Sequence, residues 1–191
     1  MEKNFNSTQT NKNWSSYDQS SLEAVPEFLS NSLENLRVRP MNIPDLDQVM
    51  EIEKLSFLTP WKRIGFEMEL NYNDIAEYLV VCDSFNSKII LAYGGLWFLK
   101  EGAHLTTLAV RDDFRRKGLG SIFLEHLKYR ARFRGAVRMT LEVRPSNQIA
   151  KQLYKKHSFT IIKVRPQYYH NEDALLMGTS LLNSSSLHRN I

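Results

Sequence analysis

Apolar residues along this chain recur in two rhythms, and the points where the rhythm changes divide it into elements. Leu36–Arg39 is short and β-prone and reads as a strand. Leu46, Val49, Met50, Ile52 and Leu55 then recur at the three- and four-residue spacing that lines one face of a helix, so Pro44–Phe57 is expected to be helical. A second helical segment follows Thr59-Pro60-Trp61. Three strand-like runs come next: Tyr78–Cys82, Lys88–Leu99 with Gly94-Gly95 loosening its middle, and His104–Val110. The polar turn Asp83–Ser87 and the short connections make them an antiparallel meander. The helical period returns over Gly118–Arg134, with Leu119, Ile122, Phe123, Leu127 and Ala131 on one side, basic residues on the other and Gly135 as the stop. Arg138–Val143 alternates as a strand. Asn147–His157 is expected to be a helix with Ile149, Ala150, Leu153 and Tyr154 as its buried stripe, and strands Thr160–Arg165 and Ala174–Leu181 complete the series. This order predicts an α/β fold, a single mixed, mostly antiparallel sheet of about seven strands with helices on both faces.

The flanks differ. Residues 1–21 are rich in Asn, Ser, Thr and Gln without a sustained period, and Leu22, Val25, Phe28, Leu29, Leu33 and Leu36 suggest an amphipathic helix. The expected organisation is an N-terminal extension over residues 1–36, mostly disordered, a domain over 37–182, and a flexible tail over 183–191. Apolar runs fall short of a membrane span and the polar start lacks the core of a signal peptide, so a soluble intracellular protein without membrane partners is expected. The single cysteine, Cys82, lies in an apolar run and has no partner for an internal disulfide. The five histidines show no metal-ligand spacing, so no metal is expected.

Charge is unevenly spread. The chain carries a formal +4, yet residues 1–36 hold two lysines against five acidic residues, which leaves the remainder strongly basic. Nine Lys/Arg fall within residues 111–138 against three Asp/Glu. Such a zone suits a polyphosphate, a nucleic-acid surface or a solvated helix face. Its densest part is Arg115-Arg116-Lys117-Gly118-Leu119-Gly120, which follows the apolar strand end Leu108-Ala109-Val110 and opens a helix. Glycines let backbone N–H groups approach a ligand, and a helix start presents unpaired N–H groups and a positive dipole end, so this turn can cradle an anion.

The spacing Arg115-x-x-Gly118-x-Gly120, with Leu141-Glu142-Val143-Arg144-Pro145-Ser146-Asn147, Leu153-Tyr154 and Tyr168-Tyr169 before Asp173-Ala174 and Met177, resembles the GCN5-related N-acetyltransferase (GNAT) family. Within it the set looks like the RimI branch of ribosomal-protein-alanine N-acetyltransferases, over about residues 37–182. The resemblance implies acetyl-CoA as co-substrate, held by Leu108, Ala109, Val110, Arg116, Lys117, Gly118, Leu119, Gly120, Ser121 and Asn147. It implies Glu142 as general base, Tyr154 as general acid, and Trp61, Tyr168 and Tyr169 as walls of a peptide groove. By residue type alone, Glu142 reads as a solvated charge and Tyr154 as a core tyrosine. One departure stands out: Lys156-His157-Ser158-Phe159 lacks the glycine that RimI-like chains carry before the phenylalanine.

The implied reaction makes its own demands. An amine attacks a thioester only when neutral, and an α-amino group is roughly 10% neutral at pH 7 where a lysine is below about 0.1%. An N-terminal acceptor therefore needs only a modest base, and the CoA thiolate can be protonated by a phenol. An oxyanion donor is expected from backbone N–H groups along Leu108–Val110 if the strand bulges there. The expected activity is Nα-acetylation of the N-terminal alanine of a ribosomal protein, small-subunit ribosomal protein eighteen by the RimI resemblance, in a bacterial cytoplasm or the stroma of an organelle of bacterial descent, by an enzyme favoured to be monomeric. Alternatives are other protein N-termini or a small amine as acceptor, and, in a different class, a non-catalytic RNA-binding module using Arg130, Arg132 and Arg134.

Overall fold

A computed structural model of the chain describes residues 36–83, 89–100 and 102–182. The helix expected within residues 22–36 and the tail at 183–191 lie outside the described residues. Strand β1 (Leu36–Pro40) leads through a 3-10 turn at Ile43–Asp45 into helices α1 (Leu46–Ser56) and α2 (Arg63–Tyr72). The meander follows as β2 (Ala76–Asp83), β3 (Ile90–Leu99) and β4 (Gly102–Val110), then helix α3 (Leu119–Phe133), β5 (Arg138–Val143), α4 (Gln148–Lys156), β6 (Thr160–Tyr169) and β7 (Glu172–Ser180). Every element expected within the described residues is present, displaced at its ends by a few residues where capping rather than periodicity decides.

The seven strands form one sheet in the order β1-β2-β3-β4-β5-β7-β6. All pairs are antiparallel except β4 and β5, which run parallel and pair only from Ala103↔Met139 to Leu105↔Leu141. Beyond that rung β4 continues to Val110 without a partner on its β5 side, so the sheet splits there. The split coincides with a bulge: Gly95 pairs with Thr107 and Leu96 with Leu105, which leaves Thr106 as the extra residue. The irregularity therefore lies at Thr106, not within the Leu108–Val110 stretch where it was expected. An extra residue raises local twist and turns β4 away from its parallel neighbour.

Helices cover both faces. A Cβ on Gly94 would meet Leu127 and Phe123 of α3, whereas one on Gly95 would meet Tyr78 and Thr106 on the opposite face. On that opposite face Leu46, Val49 and Ile52 of α1 and Phe66 of α2 join Tyr78, Val80, Tyr93 and Ala109 in the core. Two expected core positions are exposed. Leu55 of α1 is 71% exposed, because it sits in the last turn, and Ile149 of α4 is 82% exposed, because α4 turns Ala150, Leu153 and Tyr154 inward and leaves position 149 outside that stripe.

Part of the basic face of α3 is buried. Arg130 lies buried against Glu77 of β2, with Nε 2.8 Å and NH2 3.1 Å from its two carboxylate oxygens, and Arg134 reaches the same carboxylate at 3.1 Å. Arg132 donates to the Leu181 carbonyl at 3.0 Å. Arg130 is buried in this pairing, whereas Arg134 keeps 45% of its side chain exposed. Beside them, burial pushes the His126 imidazole down to about 4, with Arg130 adding to the effect, so it is neutral at physiological pH.

Candidate active site

The cradle is built at the start of α3. Gly118 is the N-cap residue with φ +88°, in the left-handed region that favours glycine, and Arg116 before it has φ +60°. Two left-handed residues so close together turn the chain sharply into the helix. The Ser121 and Ile122 N–H groups bond back to the Gly118 carbonyl, while the N–H groups of residues 116–120 take no acceptor among the described residues. Backbone donors without acceptors at a helix start suit an anion. Lys117 lies over the Phe114 ring at 5.0 Å, and a Cβ on Gly118 would meet nothing within 4 Å. The cradle is thus open, basic and rich in free donors, as a pyrophosphate requires.

Arg115, the first residue of the motif, has a different task. Its guanidinium donates to the Val110 carbonyl at 2.9 Å and Ser56 Oγ at 2.8 Å and pairs with Asp112 at 2.9 Å, tying the turn to the ends of β4 and α1. Ser121, expected at the cofactor, has its hydroxyl 2.5 Å from His157 Nε2, and His157 Nδ1 lies 2.5 Å from Glu125. The departure from the RimI pattern is thereby explained: His157 bridges α4 to α3, and Ser158 takes the left-handed conformation, φ +67°, that glycine normally supplies. Asn147 caps α4, its Oδ1 accepting from Ala150 N–H at 3.1 Å, which leaves its amide NH₂ as the remaining donor.

Glu142 and Tyr154 come from β5 and from the helix that follows it. Leu141 and Val143 are buried on the α3 face, so Glu142 between them points to the other. Its side chain is 7% exposed, with one carboxylate oxygen 2.8 Å from His104 Nε2 and the other 3.2 Å from Arg165. Burial pushes this carboxyl up, but the His104 hydrogen bond and the charges of His104 and Arg165 outweigh it and hold it below the usual range. Tyr154 sits on α4 beside Phe159, at 5.8 Å between rings. Burial, with Tyr169 adding to it, raises its phenol far above the ordinary value, so the hydroxyl keeps its proton. Glu142 thus offers an ionised carboxylate and Tyr154 a protonated phenol.

The expected groove walls come from two loops. Trp61 follows α1 with its ring against Phe66, 5.4 Å apart. Tyr168 and Tyr169 end β6, edge to face at 5.1 Å, and a bulge between Arg165 and Tyr169 lengthens that strand beyond its expected end at Arg165. Pro166 is tolerated because β6 is an edge strand. Arg144 joins the two walls: it covers the Tyr169 ring at 3.9 Å and donates to Thr59 Oγ1 at 3.2 Å and Asn171 Oδ1 at 3.0 Å.

The acetyltransferase (GNAT) family profile matches residues 46–159. The chain belongs to the GNAT N-acetyltransferases. A Bacillus subtilis protein provisionally named as a ribosomal protein bS18-alanine N-acetyltransferase is 35% identical over 146 residues, 75% of this chain and 95% of its own. The Salmonella typhimurium ribosomal protein bS18-alanine N-acetyltransferase is 31% identical, over 72% of this chain and 93% of its own. Among solved structures, the Escherichia coli ribosomal-protein-S18-alanine N-acetyltransferase superposes with TM-score 0.70 at 27% identity, covering 82% of this chain and 98% of its own.

Three residues around the candidate site were given no role from the sequence: His104, Arg144 and Glu53. Glu53 of α1 is 2% exposed, accepts the Trp61 N–H at 2.7 Å and is hydrogen-bonded by the Tyr93 hydroxyl, so it anchors the loop that carries Trp61. Burial raises its pKa from 4.5 to about 7, against the opposing Trp61 hydrogen bond. The native state therefore holds a proton that the unfolded chain releases, and stability present below about pH 4.5 is lost as the pH rises to about 7. In Glu53→Gln that loss, up to about 3 kcal/mol, disappears, and the variant is expected to be the more stable above pH 7. Urea unfolding at pH 5 and pH 8 measures it; equal pH dependence in both proteins would contradict it.

Proposed function

We propose that this acetyltransferase uses acetyl-CoA to acetylate the α-amine of an N-terminal alanine, on a bacterial ribosomal protein of the bS18 class. The observation that carries the reading is the split between β4 and β5, with the open cradle at one end and Glu142 and Tyr154 on β5 and the helix that follows it. The named activities of the Bacillus, Salmonella and Escherichia coli relatives support the acceptor. Acetyl-CoA supplies an activated acetyl group as a thioester.

In this reading the N–H groups of residues 116–120, with Arg116 and Lys117, hold the pyrophosphate, and Leu108, Ala109 and Val110 line the split beside the Asn147 amide. Backbone N–H groups on the β5 side of residues 106–110, which have no strand partner there, are available to the carbonyl oxygen as it gains charge. Trp61, Tyr168 and Tyr169 align the peptide so that its amine reaches the split from the Glu142 face. Glu142, ionised throughout the physiological range, takes the amine proton directly or through a water. Tyr154 donates its proton to the leaving sulfur.

The acceptor is tested with three substrates: an alanine-starting bS18 peptide, the same peptide blocked at its α-amine but carrying a free lysine, and spermidine. Acetylation confined to the first is expected; preference for either of the others overturns the acceptor assignment. Tyr154→Phe is expected to lower kcat by about 10²–10³ while leaving acetyl-CoA binding intact, as followed by calorimetry. Unchanged turnover would remove Tyr154 from the acid role.

A further inference from the structure

His157 caps the C-terminal end of α4, and its ring is held at both nitrogens by the start of α3. Nε2 lies 2.5 Å from Ser121 Oγ and Nδ1 lies 2.5 Å from Glu125 Oε1. The same carboxylate oxygen receives Lys128 Nζ at 2.7 Å, and that ammonium also lies 3.4 Å from the His157 carbonyl. The His157 side chain is 10% exposed. The charged groups facing the ring, Glu125 and Lys128, come from α3, while Lys155 and Lys156 beside it on α4 are exposed. Ser121 follows the last free N–H of the cradle and stands in the first turn of α3. A helical Cα–Cβ bond tilts toward the helix N-terminus, so the Ser121 side chain leans toward the cradle.

These partners fix the protons along the chain from Ser121 to Glu125. Burial pushes the Glu125 carboxyl up, but the hydrogen bonds and charges of Lys128 and His157 outweigh it and hold it below the usual range, so the carboxylate only accepts. Nδ1 of His157 therefore carries hydrogen in either charge state. In the neutral ring Nε2 is bare and takes the Ser121 hydroxyl hydrogen, which leaves Oγ with lone pairs alone to offer an anion. In the imidazolium Nε2 donates to Oγ, and the hydroxyl hydrogen is free to turn toward the cradle. One proton thus converts Ser121 from an acceptor into a donor without any movement of heavy atoms, and it sets a positive charge behind the hydroxyl. Imidazoles change charge between about pH 5 and 8. An anion in the cradle favours the protonated ring, and by linkage the protonated ring favours the anion.

We propose that Ser121 and His157 form a proton-coupled clamp on the cofactor: His157, oriented by Glu125, takes up a proton as acetyl-CoA binds, and the Ser121 hydroxyl donates to the pyrophosphate. The inference rests on the reading of the cradle as the pyrophosphate site. His157 is then a positioning residue that acts on the cofactor through Ser121, and its share of the affinity grows as the pH falls.

The test is calorimetric titration of the full chain with acetyl-CoA, without an acceptor, at pH 5.5, 7 and 8.5, for wild type, His157→Leu and Ser121→Ala. At pH 7 the titration is repeated in two buffers of different ionisation enthalpy, which reports the protons taken up. The cofactor's own phosphates titrate in every protein, so comparison with the variants removes their share. Between pH 8.5 and pH 5.5 the wild type is expected to gain about tenfold in affinity relative to His157→Leu, the worth of one hydrogen bond to a charged acceptor, and to take up more protons on binding. Ser121→Ala keeps the imidazole and is expected to lose most of that gain. A merely structural bridge between α3 and α4 would weaken His157→Leu equally at every pH and leave proton uptake unchanged, which overturns the role of His157. A wild-type pattern in Ser121→Ala overturns the hydroxyl as the link. A wild type that binds no acetyl-CoA overturns the pyrophosphate reading and this inference with it.

Discussion

Glu142→Gln is expected to lower kcat/KM for an alanine-starting peptide by about 10²–10³ while leaving acetyl-CoA affinity unchanged. The substitution keeps the size of the side chain and an oxygen for His104 Nε2, 2.8 Å away in the wild type, but removes the negative charge between His104 and Arg165 and the capacity to take a proton. Those two neighbours hold the carboxyl below the usual range, which favours its ionised, proton-accepting form. The loss in Glu142→Gln is expected to be greatest at low pH, where little neutral amine exists and a base is needed most. Steady-state kinetics from pH 6 to 9 measure it. A small loss, uniform with pH, would make Glu142 a structural charge on the face of β5.

Removing Glu77 is expected to have the largest effect on stability. Its carboxylate is 2% exposed and receives Arg130 through two hydrogen bonds and Arg134 through a third. Glu77→Ala leaves the Arg130 guanidinium, itself 9% exposed, without its carboxylate in the interface between α3 and β2, at a cost of about 3–5 kcal/mol. Replacing both partners with apolar residues, as in Glu77→Leu with Arg130→Met, is expected to recover most of that loss, since the penalty comes from one buried charge left behind. Urea unfolding of the single and double variants decides it. A loss below about 1 kcal/mol in Glu77→Ala would mean that the pair is hydrated and α3 is held by Phe123 and Leu127 alone.

Much of this was legible before any coordinates. Alternation and helical spacing report burial on one face, so the element order and the sheet-and-helix layering follow from Leu119, Phe123 and Leu127 or from Met139, Leu141 and Val143. The cradle was legible because glycine at 118 has a local, conformational cause. What was not legible depends on partners distant in the chain. Arg130 reads as a solvated charge until β2 brings Glu77 to it, and Ile149 reads as core until the orientation of α4 is known. His104 shows only that a polar residue alternates with Ala103 and Leu105; its meaning comes from the parallel register that sets it beside Thr140. Glu53, on an otherwise apolar helix face with Val49 and Ile52, was the one missed group with a usable signal, since a carboxylate there requires buried donors.

Incubating the protein and acetyl-CoA with ribosomes that lack N-terminal acetylation, then locating any added acetyl group by mass spectrometry of the separated ribosomal proteins, tests activity, acceptor and position together. The result predicted is a single acetyl group on the α-amine of the alanine that begins bS18, absent when Glu142→Gln replaces the wild type. Acetyl groups on lysine side chains, on another ribosomal protein, or on none while small amines are acetylated would contradict it.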